Sequence, residues 1–171
     1  MIITLIGYMG CGKSTIGKKL SEYFNCKSID LDEFIISQEK TTIKEIFSEK
    51  GEIYFRKKEN LYLKKILEKK NFILSLGGGT PAYYNNMDLI NDKSLSFYLK
   101  MPPIELASRL IHEKDHRPII AHLKNEEIKE FISRHLYERS FYYEKAQYKI
   151  TCNQKSIEDI CNEIITITKN L

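Results

Sequence analysis

The sequence predicts an α/β domain of three layers, a five-stranded parallel sheet with helices on both faces. Two observations carry that prediction. Five short apolar runs, at residues 2–6, 26–31, 72–76, 95–99 and 148–152, alternate with segments of helical periodicity, as parallel strands joined by crossover helices do. The first run leads directly into Gly7-Tyr8-Met9-Gly10-Cys11-Gly12-Lys13-Ser14-Thr15, which has the G-x-x-x-x-G-K-[ST] spacing of a phosphate-binding loop between a strand and a helix.

That loop is the strongest signal in the chain. Its glycines let successive backbone N–H groups turn inward around phosphate oxygens, Lys13 can reach the β and γ phosphates, and Ser14 can offer its hydroxyl to Mg²⁺. Gly10, Cys11, Gly12, Lys13, Ser14 and Thr15 are therefore the candidate nucleotide-binding residues, with ATP and Mg²⁺ as the implied ligands. The helix expected over 14–24 adds its N-terminal dipole behind the same anion. Ile16, Leu20 and Phe24 fall four apart on it, so one face packs on the sheet while Lys18, Lys19 and Glu22 stay in water. A glycine-rich turn with a fortuitous lysine is the bland alternative; the order strand, loop, helix argues against it.

The second strand ends in Asp30-Leu31-Asp32. If the strand persists, period-two alternation puts both carboxylates on one side, facing the crevice beyond the carboxyl ends of the strands; the competing reading is that Asp32 caps the next helix. Asp30 is the better carboxylate for a magnesium shell, because the third strand ends in glycine rather than aspartate. Asp32 can hold an acceptor hydroxyl and take its proton. Gly77-Gly78-Gly79 follows the third strand, and three consecutive glycines suit a place where chain and ligand approach closely better than a plain turn. The other helices are expected over 32–38, 42–48, 52–68, 85–90, 103–111, 125–142 and 156–167, with Pro102-Pro103 opening one of them. Residues 112–124 carry charges and a proline but few packing residues, which suggests a mobile lid.

Composition bounds the rest. A chain of 171 residues fits one domain, residues 1–171. With 42% hydrophobic and 29% charged residues it reads as a soluble globular protein. No apolar run approaches the ~18 residues of a membrane span, and Met1 to Ile6 is too short for a secretory segment, so a cytoplasmic location is expected. Cys11, Cys26, Cys152 and Cys161 form no C-x-x-C pair and are expected reduced. His112, His116, His122 and His135 show no close ligand spacing and read as surface or lid histidines. A net charge of +4 without a long basic block suits small anionic substrates better than nucleic acid.

Only Arg56, Arg109, Arg117, Arg134 and Arg139 among 27 basic residues are arginine, so the rigid fork that binds carboxylates and phosphates through two oxygens is used sparingly. Arg117 lies in the lid segment, where closure could bring it onto the phosphates. Arg56 and Arg139 lie on helices and could meet an anionic group on the acceptor; ordinary surface ion pairs are the alternative. Arg134 precedes His135 on a polar helical face and suggests nothing further.

The ordered set of motifs resembles the shikimate kinases over essentially the whole chain. The resemblance is carried by the phosphate loop, Asp30-Leu31-Asp32, Gly51-Glu52-Ile53-Tyr54-Phe55-Arg56-Lys57-Lys58-Glu59, Ser75-Leu76-Gly77-Gly78-Gly79, Arg117-Pro118 and Arg139-Ser140-Phe141-Tyr142-Tyr143. It implies a P-loop kinase fold and ATP-dependent phosphorylation of the shikimate 3-hydroxyl. It further implies that Asp32, Arg56, Gly78 with its neighbours Gly77 and Gly79, and Arg139 hold shikimate. Lys13 and Arg117 would act on phosphates, Ser14 and Asp30 around magnesium, and Arg109 with Asn153-Gln154-Lys155 around adenine. It implies a monomer as well. Cys11 stands where the family often has serine or alanine, and Phe141 where a proline is common, so the helix can run on past Arg139. Another small-metabolite kinase, such as a gluconate or nucleoside monophosphate kinase, and a non-catalytic nucleotide-binding regulator are the alternatives.

Overall fold

The computed structural model describes residues 1–113 and 119–171. Five strands, β1 (Ile2–Ile6), β2 (Lys27–Asp30), β3 (Phe72–Ser75), β4 (Leu95–Lys100) and β5 (Tyr148–Thr151), form one parallel sheet in the order β2-β3-β1-β4-β5. The helices are α1 (Lys13–Tyr23), α2 (Leu31–Glu39), α3 (Ile43–Leu67), α4 (Asn86–Lys93), α5 (Pro103–Ile111), α6 (Asn125–Tyr143) and α7 (Ile157–Lys169). The step from β1 to β2 runs one way along the sheet and the later steps run the other way. Right-handed crossovers therefore put α1 on one face and the later crossover helices on the opposite one, which gives the three layers expected from the sequence.

β1 is enclosed from Ile3 to Ile6, as suits the central strand of such a sheet. Ile3, Leu5 and Ile6 are buried, and the buried Thr4 hydroxyl is satisfied by Ser94 Oγ at 2.7 Å. On α1, Ile16, Gly17 and Leu20 face the core while Lys18, Lys19 and Glu22 are exposed, the face assigned from their spacing. Helix α3 holds a break at Gly51, where φ is 79° and ψ 169°; a left-handed φ of that kind is cheap only for glycine. The two helical stretches expected on either side of it are thus separate in direction. The second stretch, entered through the break, carries Arg56.

Two expectations need correction. β2 does not persist to Asp32. It stops at Asp30, whose Oδ1 accepts from the backbone N–H groups of Asp32 at 3.0 Å and Glu33 at 3.4 Å. The cap of α2 is therefore Asp30 and not Asp32, because the capping oxygen must sit one residue ahead of the helix to reach its free N–H groups. The lid segment also packs more than its composition suggests, since Ile120 is fully buried and Leu123 lies against the core. Residues 114–118, including Arg117, lie outside the described residues.

The C-terminal end of α2 is fastened to α3. Glu39 accepts hydrogen bonds from the hydroxyls of Tyr62 and Tyr54, each at 2.7 Å, and meets Lys58 Nζ at 3.1 Å. Those hydroxyls, with help from Lys58, pull its pKa down to about 2. Since α2 begins beside Asp32 and α3 carries Arg56, this clasp fixes the relation between two candidate site residues.

Candidate active site

The site lies at the carboxyl ends of β1, β2 and β3, next to the point where the strand order reverses, the ligand position of open parallel sheets. Register makes it compact. Leu5 of β1 pairs with Ser75 of β3, and Ser75 with Asp30 of β2, so the phosphate loop, the triple glycine and the D-x-D segment leave adjacent strands at the same level.

Within the phosphate loop, Gly12 has φ 94° and precedes α1. Lys13 Nζ lies across the loop, donating to Gly7 O at 2.9 Å and Tyr8 O at 3.0 Å. Ser14 Oγ donates to Asp30 Oδ2 at 2.9 Å, so the helix start and the strand end converge on one spot. A hydroxyl and a carboxylate are hard oxygen donors, and Mg²⁺ typically takes one or two such protein ligands with phosphates and water completing its octahedron. Among the described residues no group of three or more His, Cys, Asp or Glu side chains could hold a metal by itself. Ser14 and Asp30 fit Mg²⁺.

Beyond β3, the three glycines each run under a different candidate side chain. A Cβ at Gly77 would stand 2.8 Å from Asp32 Oδ1, one at Gly78 3.2 Å from Arg139 Nη1, and one at Gly79 2.6 Å from Arg56 Nη2. Any side chain here would displace a carboxylate or a guanidinium, so the sequence is glycine for reasons of close approach. Asp32, Arg56 and Arg139, which are 24 and 83 residues apart in succession along the chain, thus gather around one strip of bare backbone.

Residues 9–169 match the family model described as shikimate kinase. The chain is 46% identical to the shikimate kinase of Flavobacterium johnsoniae over 167 residues, covering 96% of this chain and 97% of that protein. Among solved structures it is similar to the shikimate kinase of Bacteroides thetaiotaomicron, with a TM-score of 0.93 and 34% identity over 99% of this chain and 98% of that one. It is also similar to the shikimate kinase of Acinetobacter baumannii in complex with shikimate, with a TM-score of 0.89 and 29% identity over 99% and 93% of the two chains. The chain belongs to the shikimate kinase family.

For a shikimate kinase, the electrostatics of this strip are informative. Asp32 is pushed up from 3.8 to about 6, chiefly by desolvation and then by the neighbouring Asp30 and Glu59 carboxylates, with Lys13 and Arg56 pulling the other way. The folded chain binds this proton more tightly than the unfolded one. Ionising Asp32 as pH rises from 3.8 to about 6 therefore subtracts from stability.

Arg56 is buried rather than part of a surface ion pair. Its Nη1 donates to Glu59 Oε2 at 2.8 Å, its Nε to Glu52 Oε1 at 3.3 Å, and its guanidinium lies 4.1 Å from the Tyr83 ring centroid. Burial disfavours the charge, but Glu59, Tyr83 and Glu52 outweigh it and raise the pKa. Glu59 in turn accepts from Thr80 Oγ1 at 2.6 Å, and Glu52 from the Tyr83 hydroxyl at 2.7 Å. Glu52 and Glu59 lie within the Gly51–Glu59 motif, which by itself assigns them no role. Their i−4 and i+3 spacing from Arg56 was the available signal; Thr80 and Tyr83 had none.

Arg139 projects from α6, which runs unbroken to Tyr143 as expected with Phe141 in place of proline. Among the described residues it forms no ion pair with a carboxylate; its neighbours are the Tyr143 hydroxyl and the Tyr8 ring. His135, expected at a surface or lid, instead turns inward, its Nδ1 2.9 Å from the Tyr8 hydroxyl. On the far side of β1, Arg109 Nη1 donates to Gly10 O at 3.4 Å. It also acts electrostatically on Cys152, which precedes the exposed Asn153 and Gln154. Lys155 is held by Glu163.

Proposed function

We propose that the chain transfers the γ-phosphoryl group of ATP to the 3-hydroxyl of shikimate, giving shikimate 3-phosphate and ADP. The observation that carries this reading is the triple glycine lying against Asp32, Arg139 and Arg56 at once. One carboxylate and two arginine forks around bare backbone match an acceptor that bears both hydroxyls and a carboxylate.

In this mechanism the phosphate-loop N–H groups and Lys13 cradle the transferring phosphate, and Arg117 of the lid, proposed as residues 112–124 of a single 1–171 domain, closes on it. Magnesium held by Ser14 and Asp30 would neutralise charge on the β and γ phosphate oxygens. Arg109 and residues 153–155 flank adenine. Arg56 and Arg139 bind the acceptor carboxylate, Gly78 and its neighbours lie along the ring, and Asp32 orients the 3-hydroxyl and accepts its proton. Proton acceptance needs the ionised carboxylate. The kcat/KM for shikimate is therefore expected to rise with pH along a limb centred near about 6, the value to which Asp32 is raised. A profile flat from about pH 5 to pH 8 would locate the proton acceptor elsewhere.

An ADP-release assay across shikimate, quinate, gluconate and nucleoside monophosphates tests the acceptor class directly, with turnover expected to be greatest for shikimate. The arginine pair supplies the second arm. Arg56→Lys keeps the charge but loses the planar double donor, and the carboxylate stays charged throughout transfer, so the loss should fall on acceptor binding. The KM for shikimate is expected to rise at least about tenfold while that for ATP changes about twofold or less. Equal rises in both would detach Arg56 from the acceptor.

A further inference from the structure

Tyr8 stands between the two halves of the site and makes a different contact with each. Its backbone carbonyl accepts from Lys13 Nζ at 3.0 Å. Its ring, 1% exposed, carries the Arg139 guanidinium 5.9 Å from the centroid, within cation–π range. Its hydroxyl meets His135 Nδ1 at 2.9 Å, with the two rings edge to face at 5.6 Å. His135 lies four residues before Arg139 on α6, so the two side chains leave the same face of the helix one turn apart. The Phe131 ring lies 5.3 Å from the imidazole, centroid to centroid.

We propose that Tyr8 and His135 are a positioning pair that joins the phosphate loop to α6 and sets the Arg139 fork for the acceptor carboxylate, an inference that rests on Arg139 binding that group. The hydroxyl and Nδ1 are each able to donate or accept, so the pair can be joined by one hydrogen bond in either sense. Burial, with Arg139 and Arg134 adding to it against Glu138, lowers the His135 pKa and favours the neutral ring, while burial raises Tyr8 to about 12 and keeps its proton in place. The hydroxyl and Nδ1 thus form a neutral hydrogen bond whose donor is set by the imidazole tautomer. Without that bond the Tyr8 ring loses the tie that fixes it under Arg139, and the loop loses a direct link to the helix bearing the fork.

The test is a double-mutant cycle with acceptor and nucleotide read separately. Tyr8→Phe removes one oxygen and keeps the ring; His135→Leu removes the imidazole nitrogen; His135→Asn restores a hydrogen-bonding group near Nδ1. Loss of one buried hydrogen bond predicts a shikimate KM raised about 5- to 10-fold in Tyr8→Phe and His135→Leu, with ATP affinity within about twofold of wild type. The double variant is expected to be no worse than the poorer single, and His135→Asn to recover most of the loss. An unchanged shikimate KM in Tyr8→Phe, additive losses in the double variant, or an equal loss of ATP affinity would each overturn the pairing. Arg139→Lys separates the two levels. If it raises the shikimate KM while Tyr8→Phe does not, only the pairing fails. If it leaves that KM unchanged, the assignment of Arg139 to the acceptor fails and the pairing with it.

Discussion

Lys13→Ala is expected to reduce kcat by at least about 100-fold, the loss typical of removing a charged donor from the developing charge of a transition state. The ammonium already sits over the phosphate loop, held by Gly7 O at 2.9 Å and Tyr8 O at 3.0 Å, so its position does not depend on a distant rearrangement. Alanine leaves the backbone nest and the helix dipole intact, which preserves part of nucleotide binding while removing the one side-chain cation of the loop. The effect should therefore appear in kcat at saturating ATP and shikimate. A variant that melts like wild type and keeps more than about a tenth of its kcat would contradict a transition-state role for Lys13.

Asp32→Asn is expected to abolish most shikimate turnover while ATP binding survives. The substitution is nearly isosteric, so Gly77 still has its close neighbour, but the amide neither accepts a proton nor offers the acceptor hydroxyl a charged hydrogen bond. It also removes a carboxylate crowded by Asp30 and Glu59, so the variant should be as stable as wild type or more so near neutral pH. Calorimetry with ATP and a thermal melt, read beside the rate, distinguish the alternatives. If ATP affinity falls as steeply as turnover, Asp32 belongs with Ser14 and Asp30 in the nucleotide half. If the melting temperature drops, the residue is structural instead.

The legible parts of this chain are those whose chemistry is local. The phosphate loop was readable because its glycines, Lys13 and Ser14 act through backbone geometry within nine consecutive residues, and the strands and helices because their periodicities span single elements. Asp32, Arg56 and Arg139 emerged as candidates from residue type and motif, and the structure brings them to one place. Less legible were partners supplied from elsewhere in the chain. His135 read as an ordinary histidine on a polar face because nothing near it in sequence reveals Tyr8, 127 positions away. Thr80 and Tyr83 carry no pattern that points to Glu59 or Glu52. In the D-x-D segment alternation describes only a strand that continues, whereas the backbone turns into α2 at Asp30 and makes that residue the cap.

By itself, then, the sequence determined the order of elements, the phosphate loop and the residue types an anionic, hydroxyl-bearing acceptor needs, since each is set by spacing along a few turns or strands. Tertiary structure alone decided which carboxylate caps and which stays free, how Arg56 is buried between Glu52 and Glu59, and that three glycines face three different side chains. Those outcomes depend on strand register and on helices crossing a shared sheet. Contacts between residues tens of positions apart arise only when the core closes, and no local periodicity records them.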